Sequence, residues 1–202
     1  MTTELVEIPG YIAGTWTIDP LHSNVGFTVR HLMVSKVRGR FGTFEGTVVT
    51  GDDPLGSSVT ATIDLASVDT GIAQRDEHLR NPDYLDVEKY PTMTYRSTGV
   101  RPDGDDFILD GELTLRGVTR QVPLDLEVGG FGPDPFREDD PFAGARAGFT
   151  ATGEISRLEF GVGDTAKVPG GGGLGLSDKV QIILDIQASL RAPRLETSRQ
   201  TT

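Results

Sequence analysis

Apolar side chains recur at every second position in one segment after another, the period of an extended strand with one dry and one wet face. Val25, Phe27 and Val29 begin the series, and Val59, Ala61, Ile63 and Leu65 repeat it with Thr60, Thr62 and Asp64 on the opposite face. Met93 and Tyr95 continue it. Phe107, Leu109, Leu113 and Leu115 then oppose Asp110, Glu112, Thr114 and Arg116, with Gly111 on the apolar side. Val122, Leu124, Leu126 and Val128 follow, and Pro123 predicts an edge-like or bulged place because it has no N–H for a ladder. Ala147, Phe149, Ala151 and Ile155 come next, and Val180, Ile182, Leu184, Ile186, Ala188 and Leu190 close the pattern. With 15–19 and 41–50 added, about eight to nine strands are predicted. Gly51-Asp52-Asp53-Pro54, Pro102-Asp103-Gly104-Asp105 and Arg116-Gly117 supply turns between them.

A single helix is predicted over 71–80, where Ile72 and Leu79 are seven apart and Asp69-Thr70 offers a cap. The segment 131–146, rich in Pro, Asp and Gly, reads as a long loop over the barrel mouth or rim. Residues 168–177 contain a four-glycine run expected to be mobile, and 191–202 reads as a flexible polar tail. With no internal repeat and no linker, the chain divides into a lead-in 1–13, one barrel domain 14–190 and the tail.

An all-β chain of this kind closes into an antiparallel barrel. About eight strands give an interior that side chains just fill, or that admits one small ligand if the inward residues are small. Ala61, Gly111, Ala147, Ala151, Gly153 and Ala188 fall on the apolar face, which favours a hollow barrel with an apolar ligand. The other reading is that these residues make room for large neighbours, or mark coiling of the sheet.

Composition narrows the partners. The 202 residues carry 19 basic and 30 acidic side chains, a net charge of -11, which disfavours nucleic acid. There is no cysteine, so disulfides and thiolate chemistry are excluded. No apolar run approaches the roughly 20 residues of a membrane helix. The N-terminal residues lack a basic region and an apolar core, so a cytoplasmic location is expected.

Asp19, His22 and Ser23 are the residue types of a hydrolase triad, but such close neighbours rarely align as nucleophile, base and orienter; a turn is the better reading, and no catalytic residue is assigned. With only His22, His31 and His78, a multi-histidine metal site is not expected, although one axial haem ligand stays open. The glycine run lacks the Lys-Ser or Lys-Thr of a phosphate loop. Arg30, Lys36, Arg38 and Arg40 form the densest positive cluster on this acidic chain, and read either as a solvated strand face or as an anion-binding rim.

Several ordered motifs resemble the YceI-like family of polyisoprenoid-binding, lipocalin-like proteins. They are Trp16-Thr17-Ile18-Asp19-Pro20-Leu21-His22-Ser23, Val25-Gly26-Phe27-Thr28-Val29-Arg30-His31-Leu32 and Val37-Arg38-Gly39-Arg40-Phe41, then Arg75-Asp76-Glu77-His78-Leu79, Leu85-Asp86-Val87-Glu88-Lys89-Tyr90-Pro91 and Leu113-Thr114-Leu115-Arg116-Gly117-Val118-Thr119. The resemblance implies an extended eight-stranded antiparallel barrel whose hydrophobic pore takes an isoprenoid, such as a polyprenyl phosphate or an isoprenoid quinone, with the short helix capping one end. It implies a carrier, store or sensor that needs no cofactor beyond the bound lipid. Family members are often secreted or periplasmic, in contrast to the cytoplasmic expectation here.

On that basis the isoprenoid chain is expected to contact Phe27, Val29 and Phe41 early in the sequence, Met93, Leu113 and Leu115 in the middle, and Phe149, Ile182 and Leu184 late. His31 shares the parity of Val25, Phe27 and Val29, and together with Arg38 and Arg40 is expected at the head group. An enzyme acting on a lipid in the same cavity, and a solid-cored interaction domain, are the alternatives. A homodimer stays open.

Overall fold

The structure, a computed structural model, describes residues 8–136, 143–164 and 175–191. Its strands build one closed antiparallel barrel of eight walls. The first wall is β1 (Gly14–Ile18) continued by β2 (Asn24–His31), and the second is β3 (Ser35–Phe41) continued by β4 (Phe44–Thr50). β5 (Ser58–Asp64) is the third, followed by the short strand β6 (Val68–Asp69) and the helix α1 (Ala73–Arg80). β7 (Thr92–Asp103) and β8 (Asp106–Leu115) come next, then β9 (Val118–Gln121) continued by β10 (Leu124–Gly132), β11 (Arg146–Ser156) and β12 (Leu176–Leu190). The long strand β12 closes the circuit, pairing with β1 through Ala188 to Leu190 and with β2 between Leu176 and Asp185.

Twelve strand segments therefore serve where eight or nine are expected, because local chemistry interrupts three walls and the short β6 adds a segment paired with β3. Between β1 and β2 the Leu21 N–H donates to Asp19 Oδ1 (3.0 Å), and His22 Nδ1 lies 2.7 Å from Asp19 Oδ2. The Ser23 hydroxyl donates to the Gln187 carbonyl (3.2 Å) and accepts the Gln187 N–H (3.0 Å), patching the gap against β12. This is the expected turn. The His22 bond holds the Asp19 carboxyl below its ordinary value of 3.8. A carboxyl lowered by folding stabilises above its unfolded pKa, and that contribution is lost as pH falls through the folded value. Asp19→Asn should accordingly weaken the acid dependence of unfolding followed by circular dichroism.

The second break is at Gly42-Thr43, whose N–H groups donate to the Ser67 carbonyl (3.1 Å) and Ser67 Oγ (3.0 Å). The third is at Val122-Pro123, where the pyrrolidine ends the ladder as its missing N–H requires, after Val122 N–H has donated to the Gly111 carbonyl (2.8 Å).

The two barrel ends differ. At one, Trp16 is wholly buried and donates from Nε1 to Thr50 Oγ1 (2.8 Å), whose hydroxyl donates to the Ile12 carbonyl (2.7 Å). The Trp16 ring meets Phe131 edge-on at 5.4 Å, and Phe131 meets Tyr11 and Phe149 at 5.1 and 5.9 Å. This aromatic end needs small neighbours, which explains Ala147 and Ala188: both are buried, and they face one another across β11 and β12.

At the other end lies α1. It starts at Ala73, not at 71, and Asp69-Thr70 does not cap it; the N-cap is Ile72, and Asp76 reaches back to accept the Thr70 N–H at 2.9 Å. Arg80 donates to the Ala66 and Val68 carbonyls (2.8 and 3.0 Å), so the polar side chains of α1 clip it to 66–70 while Leu79 faces inward. Of the expected long loop, Phe131 and Gly132 belong to β10 and Arg146 opens β11, while 137–142 lie outside the described residues. The glycine run at 170–173, the tail from 192 and the first seven residues also lie outside them.

Candidate ligand cavity

Alternation along eight closed walls puts one side-chain set inside, and here that set does not meet in the middle. Phe27, Phe149, Ile182 and Leu184 point inward yet are only half-buried, because they border open space. The space is a cavity of about 290 Å³ running from Tyr11 and Phe107 at the aromatic end to Leu79, Leu85 and Leu176 at the helix end. A cavity of about 150 Å³ accepts benzene. The observed one is about twice that and lies at the small end of the range for ligand pockets.

Every residue expected to contact the chain lines this cavity: Phe27, Val29, Phe41, Met93, Leu113, Leu115, Phe149, Ile182 and Leu184. Small side chains help in two distinct ways. Ala61 and Ala151 line the open space. Gly111 and Gly153 instead cede theirs to neighbours: a Cβ on Gly111 would stand 2.3 Å from the Tyr95 hydroxyl oxygen, and one on Gly153 2.5 Å from Leu124 Cδ2. For these two glycines the reading that small residues let larger ones pack is the correct one. The Tyr95 hydroxyl thereby reaches the Leu109 and Val122 carbonyls (3.2 and 3.0 Å), and burial, with Asp110 nearby, pushes its pKa well above the ordinary 10. It is a fixed neutral donor.

The expected head-group residues are placed elsewhere. His31 is exposed at the end of β2, outside the lumen, because the β12–β2 ladder shifts between Leu176 and Val180 and the parity of Val25 to Val29 no longer carries inward. It offers no lumen imidazole to a haem iron. Arg38 and Arg40 sit opposite Thr28 and Gly26, on the parity that faces out, and Arg40 leans on Asp69 at 3.4 Å. Among the described residues the charged side chain that lines the cavity is Arg157, which the sequence reading does not include. Carrying the alternation of Phe149, Ala151 and Ile155 one step past β11 would have found it.

Arg157 is buried at the helix end. Its Nε donates to the Ser177 carbonyl (2.9 Å), Nη1 to Val162 (2.8 Å), and Nη2 to Asp164 and Leu176 (3.0 and 3.1 Å). A guanidinium has five N–H donors, so among the described residues one Nη1 hydrogen has no acceptor.

The model of the YceI-like domain matches residues 16–188. The chain belongs to the YceI-like family. It is 42% identical over 154 residues to Protein YceI of an Escherichia coli strain, a match spanning 75% of this chain and 78% of that protein. Among solved structures, BcnA of Burkholderia cenocepacia superposes with a TM-score of 0.70 at 23% identity, over 84% of this chain and 98% of that one. A polyisoprenoid binding domain from Saccharophagus degradans, implicated in plant cell wall breakdown, superposes at 0.59 with 16% identity over 89% and 99%. At these identities both structures speak for the fold alone.

Proposed function

We propose that this YceI-like barrel binds one long apolar lipid, a polyisoprenoid such as a polyprenyl phosphate or an isoprenoid quinone, with its chain in the lumen. The observation that carries this reading is a cavity walled by apolar side chains along the barrel's length, in a family whose fold also houses a polyisoprenoid binding domain. By comparison with the benzene site, the lumen holds on the order of two or three isoprene units in this conformation. At about 0.8 kcal/mol per buried methylene the gross gain is roughly 10 kcal/mol. Association costs at least about 4 kcal/mol, which leaves a dissociation constant in the range of tens of micromolar, on the order expected for a reversible carrier, store or sensor.

The head group belongs at the helix end, where Arg157 offers its remaining N–H and its charge to an anionic or carbonyl oxygen. Binding is favoured over catalysis because, among the described residues, the titratable side chains at the cavity are Arg157 and three tyrosines, Tyr11, Tyr84 and Tyr95. Acid–base chemistry near neutral pH calls for a group titrating near that pH, and a Tyr95 pushed further up does not supply one.

Displacement of an apolar dye by a polyprenyl phosphate, by the matching polyprenol and by a prenylquinone tests this reading. All three should displace the dye, and failure of all three would refute it. Arg157→Lys, which loses the planar fork, should weaken the phosphate about tenfold relative to the alcohol. Arg38→Ala should leave lumen affinity within about twofold, since an exposed outward charge is largely screened.

A further inference from the structure

The turn joining β2 to β3 breaks two rules at once. Its tip is Leu32-Met33-Val34, with 46%, 59% and 87% of each residue exposed. It closes by donation from Val34 N–H to the His31 carbonyl (3.1 Å), with Leu32 and Met33 at φ of 50° and 59°. Hairpin tips with positive φ ordinarily take Gly, Asn or Asp, whose side chains tolerate the left-handed region. Here two bulky apolar residues are held in it and displayed to solvent. Backbone strain of this kind persists where function retains it.

The strands beneath the tip break a third rule. Arg30 and Lys36 are direct cross-strand partners, an arrangement in which like charges destabilise a sheet. Arg38 lies farther along the same outward face of β3, and none of these three side chains has an ion pair or hydrogen-bond partner among the described residues. No Asp or Glu occurs between Pro20 and Phe44, on a chain whose net charge is -11. An apolar tip with a collar of unneutralised cations is therefore built into the least acidic stretch of an acidic protein.

We propose that the β2–β3 hairpin docks on an anionic bilayer, with Leu32, Met33 and Val34 entering the boundary between headgroups and acyl chains and Arg30, Lys36 and Arg38 meeting lipid phosphates. Interfacial binding takes both signals, buried apolar surface and attraction to anionic lipid. A second copy of the chain fits this surface less well. Three side chains fall far short of the roughly 800 Å² per partner of a stable interface, and a two-fold contact would bring the same cations face to face. The docked position also places the barrel usefully. Leu32 N–H donates to the Gly175 carbonyl (3.0 Å), and the next residue, Leu176, pairs with His31 and lines the cavity. The hairpin thus sets the helix end of the lumen at the membrane surface, a consequence that goes beyond lumen binding and is tested separately from it.

Vesicle flotation decides the matter, using equal parts phosphatidylglycerol and phosphatidylcholine in one arm and phosphatidylcholine alone in the other. The wild-type chain should float with the anionic vesicles, lose binding as salt is raised, and stay behind with the neutral ones. Leu32→Asn with Met33→Gly, which suits the left-handed turn better, should keep or raise the thermal midpoint and keep dye uptake while losing at least about tenfold in vesicle affinity. Arg30→Gln, Lys36→Gln and Arg38→Gln should each cost about fivefold. No flotation by the wild type, equal flotation on both vesicles, or an unaffected tip variant would overturn the proposal. So would a dimer in sedimentation that the tip variant splits. Dye uptake, read on the same samples, reports separately on the lumen.

Discussion

Ala61→Trp should empty the barrel of ligand while leaving the barrel itself intact. Ala61 lies on β5 between Gly46 of β4 and Tyr95 of β7, and its methyl borders the cavity without being fully packed. An indole there would occupy the space of roughly half the enclosed chain, a loss of about 4 kcal/mol or close to a thousandfold in affinity. Because the group grows into open space, destabilisation should stay at or below the roughly 1–3 kcal/mol typical of an overpacked core. Dye titration and urea unfolding on the same preparation separate the two effects. Undiminished dye binding by a folded variant would place the ligand somewhere other than the lumen.

The second large effect is on stability. Trp16→Ala should cost about 4 kcal/mol, the range for deleting a large buried aromatic. The indole is wholly buried, its edge contact with Phe131 is lost, and the Thr50 hydroxyl loses the donor that orders it. Trp16→Phe keeps most of the apolar volume and should cost about 1–2 kcal/mol, chiefly for the missing hydrogen bond. Urea unfolding followed by circular dichroism is the appropriate measurement, since Trp16 is the chain's single tryptophan and the variants lose its fluorescence. A loss below about 1 kcal/mol for Trp16→Ala would mean that the aromatic end is not a structural plug.

Most of the barrel was legible in the sequence because period two is a direct imprint of a closed sheet with one dry face. Val180 to Ile186 announce the cavity wall without any knowledge of their partners, and Pro123 announces the break between β9 and β10. What alternation does not carry is register. Gly111 and Ala61 look alike along the chain, yet Tyr95 fills the space over one and the other borders the cavity. Only the pairing of β7 with β5 and β8 decides which. Parity also fails at strand ends. It drew His31 inward past the point where the ladder shifts, whereas at β11 the same rule continued across Ser156 would have led to Arg157. For Arg38 and Arg40 the expectation followed chemistry against parity, and it is parity that the structure follows.

Native mass spectrometry of the gently purified chain, paired with solvent extraction and lipid identification, tests the lumen most directly. A fraction of molecules carrying one added mass that matches a prenyl lipid, lost in Ala61→Trp and retained in Leu32→Asn with Met33→Gly, is the predicted result. A chain with no bound apolar molecule, and no uptake when polyprenyl phosphate, polyprenol or prenylquinone is supplied, would contradict it.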